Sequence, residues 1–208
     1  MTDKKATPLW KALILEHRLP WRYKAPFKPI KDKLIRFFHL NVNSNKYWDR
    51  IFSNPRKQIG NENYYELMKF LPKKKFSLLD IGSGLGEGCI LIKKRFPKAK
   101  IEGCDFSRVA LSKSKVKTKD IDFFELDIRK DEIPKKYDYI ISISVFEHFR
   151  KPEEIIKKCL KHANTLILDC PYEDYGIEHL FQCKEDTFKE FNPKVKRKGD
   201  RITYIIRN

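Results

Sequence analysis

Residues 78–88 constrain this chain more than any other stretch. Leu78 and Leu79 lead into Asp80 and Ile81, and glycines then alternate at positions 82, 84, 86 and 88, with Ser83, Leu85 and Glu87 between them. The segment from Cys89 to Phe96 leaves the run with helical character. A short apolar run, a glycine-rich turn and a helix predict the opening of a βαβ unit, a common seat for nucleotide-like ligands. Glycine serves there because it accepts positive φ and, lacking Cβ, lets a ligand lie against the backbone.

The spacing separates two ligand classes. A dinucleotide fingerprint, G-x-G-x-x-G, places a pyrophosphate on a helix N-terminus. Here Glu87 stands where that pattern wants its third glycine, and Asp80 lies two residues before the first. A carboxylate at that point repels pyrophosphate and accepts from an ammonium group. D-x-G-x-G-x-G at a strand end resembles the first motif of the class I S-adenosylmethionine-dependent methyltransferases. The resemblance covers about residues 43–208, including the aromatic-acidic segment Asn45–Phe52 that often precedes this core. It implies that the loop of Asp80, Gly82, Ser83, Gly84 and Gly86 holds the methionine part of S-adenosyl-L-methionine, with S-adenosyl-L-homocysteine as product.

The remaining pattern agrees with a doubly wound α/β fold. A second helix is predicted over 63–71, stopped by Pro72. Strands are predicted at 77–81, 100–104, 121–126, 137–144 and 164–169, and helices at 86–96, 107–115, 152–162 and near 184–191. Residues 194–206 read as two strands about a Gly199-Asp200 turn. The expected architecture is a mostly parallel seven-stranded sheet with a C-terminal antiparallel hairpin, a mark of this methyltransferase fold and absent from dinucleotide-binding folds. An N-terminal helical extension precedes it.

Ligands of open α/β sheets sit beyond the carboxyl ends of the strands. Asp105 follows strand 2, 23 residues past Gly82, where a carboxylate accepts from both ribose hydroxyls; Ser107 is the better candidate for capping the next helix. After strand 3, the resemblance implies that Asp127 accepts from the adenine amino group and that Ile128 offers a backbone contact or an apolar face. Phe106 with Ile128 is a candidate sandwich for the ring. Strand 4 ends in Ser142–Phe149, and its Glu147-His148 pair looks like the fourth motif of small-molecule methyltransferases; Ser144 belongs to the expected cofactor wall. The N/D-P-P-Y motif of nucleic-acid amino methyltransferases is missing from this strand, and Asp169-Cys170-Pro171-Tyr172 follows strand 5 instead.

Methyl transfer needs an acceptor held in line with the S–CH3 bond, and a hydroxyl acceptor also needs its proton removed. Histidine suits that task. The candidates are His148, beside the fourth motif, and His179, in the aromatic and acidic loop after strand 5, with Glu173 or Glu178 as its orienter. That loop resembles methyltransferases of polysaccharide and secondary-metabolite pathways, which implies a small polar acceptor, most readily a sugar or glycan precursor, methylated on O or N. Two alternatives stay open: an RNA methyltransferase, and a cofactor-binding but inactive partner subunit.

Charge bears on partners rather than fold. Lys and Arg number 45 against 28 Asp and Glu, a net +17. Residues 1–42 hold ten Lys/Arg against three Asp/Glu, interleaved with Trp10, Trp21, Tyr23, Phe27, Phe37 and Phe38. Ile30, Leu34, Phe37 and Phe38 share one face of a predicted basic amphipathic helix. This extension is expected to pack on the core or pocket, with an anionic membrane surface or RNA as alternatives. It forms one unit, 1–42, and the methyltransferase domain another, 43–208. Five cysteines without a C-x-x-C pair read as reduced core thiols of a cytoplasmic protein with no metal centre. No apolar run approaches the length that spans a bilayer.

Overall fold

The computed structural model of the chain describes residues 43–54, 62–174, 176 and 178–208. The amphipathic helix expected around Ile30–Phe38, and with it the N-terminal extension, lies outside the described residues. Helix α1 (Asn45–Ser53) opens on Ser44, whose hydroxyl accepts from the Tyr47 N–H at 3.2 Å. This is an N-cap that satisfies one of the free amides of the first turn. Helix α2 (Glu62–Leu67) continues into a 3-10 turn, Met68–Phe70, and stops before Pro72.

Seven strands then form one sheet: β1 (Ser77–Ile81), β2 (Lys100–Asp105), β3 (Asp122–Glu125), β4 (Tyr137–Ile143), β5 (Ala163–Pro171), β6 (Lys194–Lys198) and β7 (Arg201–Arg207). Their order is β3-β2-β1-β4-β5-β7-β6. The first five are parallel, and β7 enters antiparallel between β5 and β6. The hairpin turns at Gly199, φ +59°, as the Gly-Asp pair predicts. Helices α3 (Glu87–Arg95), α4 (Arg108–Lys117) and α5 (Pro152–His162) cross between the parallel strands, and α5 carries its proline in the first turn.

Both faces of the sheet are covered, so the central strands are apolar on both sides while still alternating. Leu79, Ile140, Leu166 and Leu168 face one layer with Ile155, Ile156 and Cys159 of α5. Leu78, Ile141 and Ile167 face the other with Tyr64, Leu67, Cys89 and Ile92. All five cysteines are buried and unbridged, as expected. Among the described residues no helix is long and apolar enough to cross a membrane.

One predicted element differs. The helix expected near 184–191 is a run of turns ending in a single 3-10 turn, Lys189–Phe191. The Thr187 hydroxyl accepts from the Lys184 N–H at 2.7 Å, a local side-chain bond that competes with a helical ladder. Phe188 is wholly buried, and Asn192, at φ +46°, ends the segment before Pro193.

A close approach locks α2 to α3. A Cβ built on Gly88 would lie 1.8 Å from Tyr64 Cζ, so the buried ring occupies the space where any other residue would project. Gly88→Ala is expected to lower stability by about 1–3 kcal/mol through overpacking, read from urea unfolding; an unchanged midpoint would contradict this packing.

Candidate active site

The carboxyl ends of the parallel strands surround one cavity of about 450 Å³, within the usual range for small-molecule sites. Gly82 and Ser83 line it after β1, Asp105 and Phe106 at β2, Asp127 and Ile128 after β3, and Ser144, Glu147 and His148 after β4. Asp174 and His179 close it after β5. Trp48 and Phe52 of α1 form part of the wall.

The glycine turn is held by β2. The N–H groups of Gly82 and Ser83 donate to the Cys104 carbonyl at 2.8 and 3.0 Å. The Asp105 carboxylate accepts from the Gly84 N–H at 2.9 Å and the Ser107 N–H at 2.8 Å. Gly82, Gly84 and Gly86 all have positive φ, which makes this tight path open to glycine. Ser107 caps α4 by accepting from the Ala110 N–H, leaving Asp105 to face the cavity. Burial pushes the Asp105 carboxyl up to about 6, against the amides of Ser107, Gly84 and Phe106 that pull it down.

Asp80 departs from expectation. It is fully buried in β1 behind the cavity wall, and its Oδ2 accepts from the Tyr64 hydroxyl at 2.9 Å and the Cys89 thiol at 3.4 Å. Its Oδ1 has no hydrogen-bond partner, nor does the buried Ser83 hydroxyl beside the turn. Burial pushes this carboxyl up to about 7. Gly84 and Gly86 likewise stay out of the wall and act as backbone: one bonds Asp105, the other starts α3 against Phe123 and Ser114.

Asp127 lies at the cavity edge with both oxygens on the Arg129 fork, at 2.7 Å each. Burial pushes this carboxyl up, but Arg129 and Lys130 outweigh it and hold it below the ordinary value. The same guanidinium stacks 4.9 Å over the Phe106 ring and donates to the Asn43 carbonyl at 3.0 Å. The sequence does not single out Arg129, since a surface arginine four residues after a strand carries no signal of its own. Ser144 follows β4 rather than ending it, at φ +55°, with its N–H on the Asp169 carbonyl. The Asp169-Cys170-Pro171-Tyr172 run is structural: Arg201 and Thr203 take the Asp169 carboxylate.

Both candidate histidines reach the same end of the cavity, with ring centroids 5.2 Å apart. His148 Nδ1 stands 3.1 Å from the Glu178 carbonyl; a carbonyl only accepts, so Nδ1 is the donor, and in the neutral ring Nε2 is the nitrogen with the lone pair. His179 Nε2 lies 3.9 Å from Glu147 and its Nδ1 3.6 Å from Asp174. Burial holds the His179 imidazole below its ordinary value, against the pull of Glu147. The expected orienters are therefore replaced. Glu173 turns to Lys184 and the Glu178 carboxylate accepts from the Tyr47 hydroxyl, so Glu147 and Asp174 attend His179. Glu147 is only 1% exposed, and neither of its carboxylate oxygens has a hydrogen-bond partner.

The methyltransferase domain family matches residues 79–165 of the chain. A malonyl-[acyl-carrier protein] O-methyltransferase of Priestia megaterium is 31% identical over 137 residues, 64% of this chain and 50% of that protein. One of Bacillus cereus is 28% identical over 158 residues, 72% of this chain and 53% of that protein. The chain thus spans about half the length of these curated relatives. The magnesium protoporphyrin IX methyltransferase of Synechocystis PCC 6803, solved with bound S-adenosylhomocysteine, superposes with a TM-score of 0.62 at 17% identity, covering 85% of this chain and all of that one. Residues 79–165 thus carry a methyltransferase domain, and the fold is that of the class I S-adenosylmethionine-dependent methyltransferases. S-adenosylmethionine is accordingly its cofactor. The cavity fits that molecule on its own terms, with carboxylates at three successive strand ends and an unmatched oxygen at Asp80 beneath the glycine turn.

The buried Asp80 gives a pH test of this methyltransferase fold. A carboxyl raised from 3.8 to about 7 binds more protons folded than unfolded, so stability is full below pH ~4 and falls as pH rises toward ~7. Relative to Asp80→Asn, which stays neutral, the parent is expected to lose about 4 kcal/mol between pH 4 and 8. Urea unfolding across that range checks it, and a constant difference would contradict it.

Proposed function

We propose that this methyltransferase transfers a methyl group to a hydroxyl oxygen of a small polar acceptor. When bound, S-adenosylmethionine supplies a methyl group already activated by a sulfonium centre. Asp105 would hold the ribose hydroxyls, Asp127 and Ile128 the adenine edge, Phe106 its face, and the turn of Gly82 and Ser83 above Asp80 the amino-acid end, with Ser144 on the adjoining wall. The acceptor hydroxyl would sit where Glu147, His148 and His179 converge, and that cluster would hold its oxygen and draw off its proton.

The single observation that carries this reading is that the strand-end carboxylates and the Glu147–His148–His179 cluster line one cavity. Its sign favours a neutral hydroxyl donor. Asp105, Asp127, Glu147, Asp174 and Glu178 all line it, and among the described residues the one arginine in the lining, Arg129, already serves Asp127. An anionic acceptor would meet like charge at Asp174, which stands beside His179. The malonyl carboxylate suggested by the relatives' names is therefore the second reading, although their O-methylation agrees with the first. A sugar is one hydroxyl acceptor among several, and the comparisons do not single it out. RNA draws support from the +17 charge alone. A partner subunit without activity has no observation in its favour, since the cofactor end and the acceptor end are both furnished.

Methyl transfer from labelled S-adenosylmethionine should proceed to members of an alcohol and phenol panel and not to malonyl thioesters; the reverse would overturn the choice of acceptor. Asp105→Ala is expected to weaken S-adenosylhomocysteine binding by about 1–3 kcal/mol, measured by calorimetry, and unchanged affinity would remove the ribose assignment.

A further inference from the structure

We propose that Glu147, His148 and His179 form a binding site for a zinc-type divalent cation. Each offers one ligand atom, and the three atoms lie within 4.8 Å of one another. One carboxylate with two imidazoles is a ligand set used by catalytic zinc, with the fourth position left open. A contraction of roughly 1 Å brings such atoms to bonding range around one ion with bonds near 2.1 Å.

Two independent features point to a ligand. Glu147 is buried to 1% exposure and aims a carboxylate without hydrogen-bond partners into the cavity. A buried carboxyl group without hydrogen bonds is costly, and a cation is a partner that offsets the cost. The histidines also have the outer contacts of metal ligands. His148 donates Nδ1–H to the Glu178 carbonyl, and His179 Nδ1 faces Asp174 while its Nε2 faces Glu147. Ligating histidines are held in this way, with the far nitrogen on a carbonyl or carboxylate and the near lone pair free. Mixed nitrogen and oxygen ligands select zinc, cobalt or iron over magnesium.

The role in methyl transfer rests on the proposed hydroxyl acceptor; the site itself does not. A hydroxyl oxygen in the open position would lose its proton to solvent water, the oxygen keeping its electron pair on the cation, as metal-bound water does near neutral pH. Neither histidine then needs to act as a base.

Cobalt(II) titrated into chelator-treated, untagged full-length protein tests this. We expect one equivalent bound with visible d–d absorption, at least tenfold weaker in both Glu147→Gln and His179→Ala, and unchanged in His162→Ala at the far end of α5. S-adenosylhomocysteine calorimetry on the same samples shows that the variants are folded and separates the two proposals. No cobalt binding, or binding that neither substitution weakens, overturns the metal site even where S-adenosylhomocysteine binds normally. Cobalt binding with that signature but no S-adenosylhomocysteine binding supports the metal site and overturns the methyltransferase reading.

Discussion

The Asp105 carboxylate is the interaction on which the rest of the site depends. It receives the amide of Gly84 from the turn after β1 and the amide of Ser107 from the turn after β2. Two loops that would otherwise be independent are thereby fixed to one side chain. The carbonyl of the preceding residue, Cys104, takes the amides of Gly82 and Ser83, so the whole glycine turn hangs from the end of β2. That anchoring opens the cavity floor and leaves Asp105 on its wall.

The same economy has a cost in stability. Asp80 and Asp105 are both raised by burial, and Glu147 has neither oxygen matched. A chain selected only for stability would not hold three such carboxylates around one cavity. Buried groups held against their solvation are the ordinary mark of a site awaiting ligands. The two apolar layers around β1, β4 and β5 supply the surplus that tolerates them.

Much of this was legible in the sequence. Short apolar runs at β1 and β5, the glycine spacing and the terminal Gly199-Asp200 turn led to the sheet and its hairpin, because apolar runs and turn chemistry act locally. Asp105 and Asp127 were legible because the fold puts ligands at strand ends. Asp80 was expected to receive the ammonium group of the cofactor, and its burial behind the wall depends on Tyr64 from α2, a contact 16 residues away in sequence. The orienters of His179 were misread for a similar reason. Glu178 is its neighbour in sequence, yet Tyr47 of α1 takes that carboxylate. Glu147 stood in view within the fourth motif, but only the packing of the turn after β4 shows that nothing satisfies it. The 184–191 segment had helical composition and lost to the Thr187 side-chain bond and to Asn192-Pro193.

The central claim is that one cofactor molecule lies across the ends of β1, β2 and β3 with its reactive end toward the turn after β4. A crystal structure of the complex with S-adenosylhomocysteine tests it most directly. The ribose is expected on Asp105, the adenine edge at Asp127 and Ile128, and the sulfur facing Glu147 and His179. S-adenosylhomocysteine bound elsewhere, or those carboxylates turned out of a shared cavity, would contradict it.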